Sequence, residues 1–194
     1  SSPGVINALS WNTDFQLAQK FSKLSVTAKY RKVFLNNRQF DLRFFGGTFL
    51  YNDTRLDGDY FSFATDRPTD YLFNYNYYGR SESSGLFSQQ LILAEGGFKS
   101  QLDTPFGNQW LTSINTSTTL WNFIHGYVDV GLIKNQGDPA RFLYDSGIRT
   151  VLVEDYFEIF LPIHSSNGWE LGQKNYDQKI RFIVTLDIGT MLSL

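Results

Sequence analysis

The chain has 194 residues, with 17 Lys/Arg against 19 Asp/Glu and no cysteine, so it is one domain or a large part of one. A net charge of −2 with no basic cluster excludes the electrostatic footprint of a nucleic-acid binder. The missing cysteines exclude both a disulfide framework and a thiolate metal site. Aromatic residues reach 17%, which fits either rings at a membrane interface or an aromatic-packed soluble β-protein.

The opening SSPGVINALSW has no charged and apolar signal-peptide regions, so an exported protein would have lost its signal or this chain would be part of a longer one. Residues 1–23 read as a lead-in of uncertain structure, and 24–194 as the structural unit. VINAL could form a short strand. Phe15, Ala18, Phe21 and Leu24 have near-helical spacing behind a Thr13 or Asp14 cap.

From Leu24 the period becomes two, which places successive side chains on opposite faces of a strand. The first expected strand is 24–33 and the second runs from Phe40 to about Leu50, with a tight turn at Asn36-Asn37. Residues 52–70 read as a long polar loop. The third strand is expected at 71–78, the fourth from about Phe87 to Phe98 with a bend at Gly96-Gly97, the fifth at 110–120 and the sixth at 125–133. The seventh covers 142–153, the eighth 156–163 after a turn at Glu154-Asp155, and the ninth 179–188 after the polar loop HSSNGWELGQKNYDQ. In that last strand Ile180, Phe182, Val184, Leu186 and Ile188 share one face, opposite Arg181, Ile183, Thr185 and Asp187.

No stretch of ~18 apolar residues offers a spanning helix. Strands of ~9–11 residues, apolar on one face and polar on the other, suit a tilted crossing of a bilayer. The expected connections alternate between tight turns and longer loops, as in outer-membrane barrels. The fold class is therefore all-β, an antiparallel transmembrane β-barrel of about nine to ten strands forming part of a larger barrel. Counting inward and outward strands back from Leu194 leaves at least one outward strand missing or hidden in residues 1–14. Upstream strands of the same protein, or another chain, are expected to cover the open edge.

With the apolar face against lipid, the lumen receives Lys29, Arg31, Asp41, Arg43, Glu95, Asp129, Asp145, Arg149, Glu158, Arg181 and Asp187. Both signs are interspersed, which favours pairing across strands over an ion-selective pore. Arg149 and Glu158 are expected to hold neighbouring strands together. A substrate path along Arg149, Glu158 and Arg181 is the sharper alternative.

No catalytic constellation emerges. His125 and His164 have no paired-ligand spacing, and neither HExxH nor GxSxG occurs. DTRLDGD (53–59) matches a calcium loop poorly, with Arg55 at its third position and Ala64 at its twelfth. Asn52 and Asn115 each begin a glycosylation sequon. No cofactor is expected.

The segments YDSGIR (144–149), FEIFLPI (157–163), NGWE (167–170) and NYDQKIRFIVTLD (175–187), with LRFFGGTFLYN (42–52), carry a resemblance. They resemble the carboxy-terminal membrane region of Bacteroidetes M1-family (gluzincin) aminopeptidase-like proteins, itself similar in style to a surface-antigen (Omp85-like) barrel. The resemblance implies an outer-membrane location in a Gram-negative bacterium and a barrel that anchors a soluble domain or partner. The family's HExxH and downstream Glu have no counterpart here, so no catalytic residue transfers and no zinc-dependent peptide cleavage is expected from these residues alone. An Omp85-like role in polypeptide or lipid transport or insertion is the alternative. Outer-membrane lipid and other outer-membrane proteins are the implied partners, and nucleic acid is not.

Overall fold

The computed structural model describes residues 6–53, 61–67, 89–153 and 156–184. In chain order the strands are β1 (Ile6–Leu17), β2 (Phe21–Val33), β3 (Gln39–Asn52), β4 (Phe63–Ala64), β5 (Phe106–Gly107), β6 (Trp110–Trp121), β7 (Ile124–Lys134), β8 (Arg141–Val153), β9 (Phe157–Ser165), β10 (Gly168–Trp169) and β11 (Arg181–Val184). Nine of them form one antiparallel sheet, ordered β1-β2-β3-β6-β7-β8-β9-β10, with β11 also on β9. The protein is all-β. A separate two-stranded ribbon joins β4 and β5.

Two expectations are corrected here. The helical spacing from Phe15 to Leu24 is a coincidence between two strands and their turn. The expected short strand is longer: its residues from Ile6 onward belong to the 12-residue β1, which pairs with β2 along its whole length, from Ile6↔Val33 to Leu17↔Ser22. β1 adds a strand before the first that was expected. The second correction concerns the expected fourth strand. Its described part, 89–98, is irregular apart from a single parallel bridge, Gln90↔Phe182. It belongs to a long insertion between β3 and β6, which are themselves hydrogen-bonded neighbours. The expected third strand, the Glu154-Asp155 turn and most of the 53–59 loop lie outside the described residues.

The connections sort by end. At one end lie residues 34–38 and 122–123; at the other lie 18–20, 135–140 and 166–180, and there β3 ends and β6 begins. Asn37 (φ 58) and Asn122 (φ 44) turn two of the tight connections, because asparagine accepts the left-handed region more readily than other side chains.

The sheet is strongly curled. In a flat sheet β3 and β8 would be about 14 Å apart, three spacings of ~4.8 Å. Yet Arg149 on β8 reaches Asp41 on β3 at 3.3 Å. Among the described residues β1 and β11 are not paired with each other.

The register sorts side chains by face with little mixing. One row across the sheet reads Ser10, Lys29, Arg43, Asn115, Asp129, Asp145 and Ser165, each directly opposite the next. A row on the other face reads Trp11, Ala28, Phe44, Ile114, Val130 and Tyr144. The polar row is concave and the apolar row convex. Towards the long-loop end the concave face becomes apolar, and there Phe45, Leu111, Ile133 and Leu143 bury Phe63, Phe98 and Leu102 of the insertion. Gly147 lets this curved wall close up. A Cβ there would lie 2.2 Å from the Leu161 carbonyl oxygen and 2.7 Å from the Tyr127 hydroxyl, so the Tyr127 ring occupies the space that a side chain would need.

Candidate functional site

The concave face and the insertion seated on it form the candidate site. Arg149, inward on β8, donates from Nε to Glu158 Oε2 at 2.8 Å and from Nη2 to Oε1 at 2.5 Å. Its Nη1 reaches Asp41 at 3.3 Å and Ser117 Oγ at 3.1 Å. Asp41 also accepts from Arg31 Nε at 2.9 Å and from Gln39 at 2.7 Å. The planar fork of arginine satisfies two carboxylates, on β9 and β3, at once. A lysine is a point charge and cannot reproduce this geometry. Arg149→Lys is therefore expected to lower the unfolding free energy by about 1.5–3 kcal/mol, read from urea unfolding followed by tryptophan fluorescence.

A second cluster ties the insertion to the wall. Lys99 Nζ lies 2.8 Å from both oxygens of Asp129. Asp145, opposite Asp129 on the next strand, accepts the backbone N–H groups of Lys99 at 2.8 Å and Ser100 at 2.5 Å. Both carboxylates are fully buried. On the far side of the row, Arg43 donates to Asn115 Oδ1 at 2.8 Å and to the Glu95 carbonyl at 2.7 Å, while Asn115 donates to the Gly96 carbonyl at 3.0 Å. Glu95 pairs with Lys23 and accepts the Ala64 N–H at 2.7 Å. Wall side chains thus satisfy irregular backbone that would otherwise be buried without partners.

Nearer the tight-turn end the concave face keeps a cavity of about 440 Å³, lined among others by Lys29, Arg43, Leu93, Arg149, Glu158 and Ile183. A third polar cluster lies under the 166–180 connection. There Glu170, buried, pairs with Lys179 and accepts the Ser165 hydroxyl. Tyr176 donates to the Pro162 carbonyl at 2.9 Å; desolvation, then the nearby Glu170 charge, pushes its phenol up.

The residues expected on the polar face distribute as follows. Arg43, Asp129, Asp145, Arg149 and Glu158 all take part in the networks above. Arg181 is buried opposite Phe160 on the concave face, and Asp187 lies outside the described residues. Glu95 is inside, but on the insertion and not on a strand. Lys99, Lys23, Asn115, Glu170 and Lys179 are polar partners that the strand pattern alone missed.

Other corrections concern the histidines and a sequon. His164 is not in a loop: it sits at the end of β9, stacked on Tyr144 with ring centres 5.5 Å apart and edge-on to Trp169 at 5.1 Å. His125 is buried, 3.2 Å from Thr119 Oγ1. Asn115 is buried with both amide atoms bonded, which closes that sequon to a glycan. Among the described residues no three His, Cys, Asp or Glu side chains converge as metal ligands. Comparison with protein-family models, with characterised proteins and with solved structures finds no match.

Proposed function

We propose that this chain is the β-barrel portion of an outer-membrane protein, which holds a soluble domain or partner, such as a metallopeptidase domain, at the membrane. One observation carries the reading: the convex face exposes large apolar side chains strand after strand while the concave face is polar and ion-paired. Leu9, Trp11, Phe15 and Leu17 on β1 are followed by Phe44, Leu50, Ile114, Leu120, Val128, Leu132, Phe142 and Leu152, all exposed. Such a continuous belt exceeds the exposed patches of ordinary soluble monomers. Trp121, Phe123 and Tyr156 stand exposed at the tight-turn end, and Tyr51, Phe142 and Trp169 at the other. This distribution fits aromatic girdles at two lipid–water interfaces. The short connections 34–38 and 122–123 at one end, against 135–140 and 166–180 beside the short 18–20 turn at the other, fit the same reading. No described helix is long and apolar enough to cross a membrane, and a barrel crosses with strands instead.

The insertion seated on the concave face ranks anchoring above transport. The insertion is latched by buried charge onto the wall that a passage would have to run along. Peptide chemistry, on this reading, belongs to the attached domain. The purified chain should need detergent to stay monodisperse, and unboiled samples should migrate differently from boiled ones in SDS electrophoresis. A sharp monomer in detergent-free buffer, with no mobility shift on boiling, would reject the membrane assignment.

A further inference from the structure

The polar row on the concave face is electrostatically lopsided. Its acidic half, Asp129 and Asp145, is matched by the Lys99 ammonium and two backbone N–H groups. Its basic half makes no ion pair among the described residues. Lys29 and Arg43 stand directly opposite each other on β2 and β3, and like charges in that position repel. Arg43 donates to neutral acceptors, the Asn115 amide and the Glu95 carbonyl, with the Phe45 ring 5.7 Å away and the charges of Asp129 and Glu95 nearby. Among the described residues Lys29 has neither an ion pair nor a side-chain hydrogen bond. The carboxylates nearest to them on this face are engaged: Asp41 by Arg31 and Arg149, Glu158 by Arg149, and Asp129 by Lys99.

Lys29 and Arg43 both line the 440 Å³ cavity, a volume within the range of small-molecule sites. The cavity is not uniformly polar. Leu93 of the insertion, 43% exposed, lines it, as does Ile183, which packs against Leu91, Tyr127 and Phe160. Ser10 and Lys29 are exposed, so the cavity has a mouth on its β1–β2 side.

We infer that this cavity binds a small organic anion, its carboxylate or phosphate head between Lys29 and Arg43 and its apolar portion against Leu93 and Ile183. The head supplies the ion pair that neither cation has among the described residues, and Arg43 is already oriented for it by Asn115. The apolar portion covers Leu93. This inference does not depend on what the convex face meets.

The test is calorimetric titration of the full chain in non-ionic detergent micelles with hexanoate and, separately, with inorganic phosphate. Saturable hexanoate binding is expected, weakened at least tenfold by Lys29→Gln and by Leu93→Glu. Lys29 is exposed and unpaired, so its variant should keep the wild-type unfolding profile. Phosphate should bind more weakly than hexanoate, since it leaves the apolar wall uncovered. Displacement of bound hexanoate by phosphatidylglycerol but not phosphatidylcholine nanodiscs would identify the anion as a lipid headgroup; failure of both to displace it would identify a soluble anion. Absence of saturable wild-type binding, or equal affinity in the Lys29→Gln protein, would overturn the site. Phosphate binding as tight as hexanoate, unaffected by Leu93→Glu, would overturn the apolar half of the assignment.

Discussion

Replacing Lys99 with methionine is expected to lower the unfolding free energy by about 3–5 kcal/mol, the cost of leaving buried charge without its partner. Methionine keeps the length of the aliphatic stem, so the change isolates the ammonium group. Asp129 has no exposed surface and takes both of its close contacts from Lys99 Nζ. Asp145 faces it from the next strand and is equally buried. Without the ammonium, the Asp129 carboxylate is left buried with no ion pair of its own. Surface ion pairs are usually worth less than ~1 kcal/mol, so burial decides the magnitude here. Urea unfolding in micelles measures the loss. Because Lys99 and Ser100 also anchor the insertion by their N–H groups to Asp145, limited proteolysis should cut near residue 99 faster in the variant. The double variant Lys99→Met/Asp129→Asn removes both charges and should recover most of the stability. A loss below ~1 kcal/mol for the single change would mean that the insertion is not held by this pair.

The same cluster marks the limit of what the sequence reveals. Period two places Asp129 and Asp145 inward, and the register puts them opposite each other. Their cation comes from an irregular segment with no period, so nothing local points to Lys99. The segment just before it misleads in the opposite direction. Leu91, Ala94 and Phe98 are buried on the concave face, and a short apolar run bounded by glycines has the same appearance in a buried strand as in a buried coil. Glu170 and Lys179 hide for a related reason: they lie in a polar stretch, and composition cannot tell a solvated loop from one folded over its own charges.

β1 was legible but was masked by a coincidence. Leu9, Trp11, Phe15 and Leu17 alternate with Ser10, Asn12, Asp14 and Gln16. The turn at 18–20 brings Ala18 and Phe21 into helix-like spacing with Phe15. The strands β2, β3, β6, β7 and β8 were readable because apolar and polar residues alternate along the middle of each, and a slip of one residue would turn those charges to the convex face. The Arg149–Glu158 contact follows from that alternation. The contact of Arg149 with Asp41 does not, since it depends on curvature, which brings β3 to β8 across two intervening strands.

Curvature with an apolar outside leads to the second large effect, Val128→Arg. Val128 lies midway along β7 and is 50% exposed. Its cross-strand neighbours on the convex face are Thr116 and Ser146, so an arginine there meets no steric obstacle and no buried group loses a partner. If water covers this face, the substitution belongs among surface changes worth about ±0.5 kcal/mol. If lipid covers it, an arginine near the midplane costs about 2–4 kcal/mol, falling to about 0–1 kcal/mol near an interface. Leu120→Arg, on the same face one residue from the tight turn at 122–123, serves as the depth control. Reversible unfolding from liposomes should therefore show a large loss for Val128→Arg and a small one for Leu120→Arg. The two variants differ in depth and share a face, so a soluble protein has no reason to separate them. Equal and negligible losses at both positions would remove the bilayer from the account of this fold. A graded loss would place the middle of β7 in hydrocarbon and the 122–123 turn at its edge.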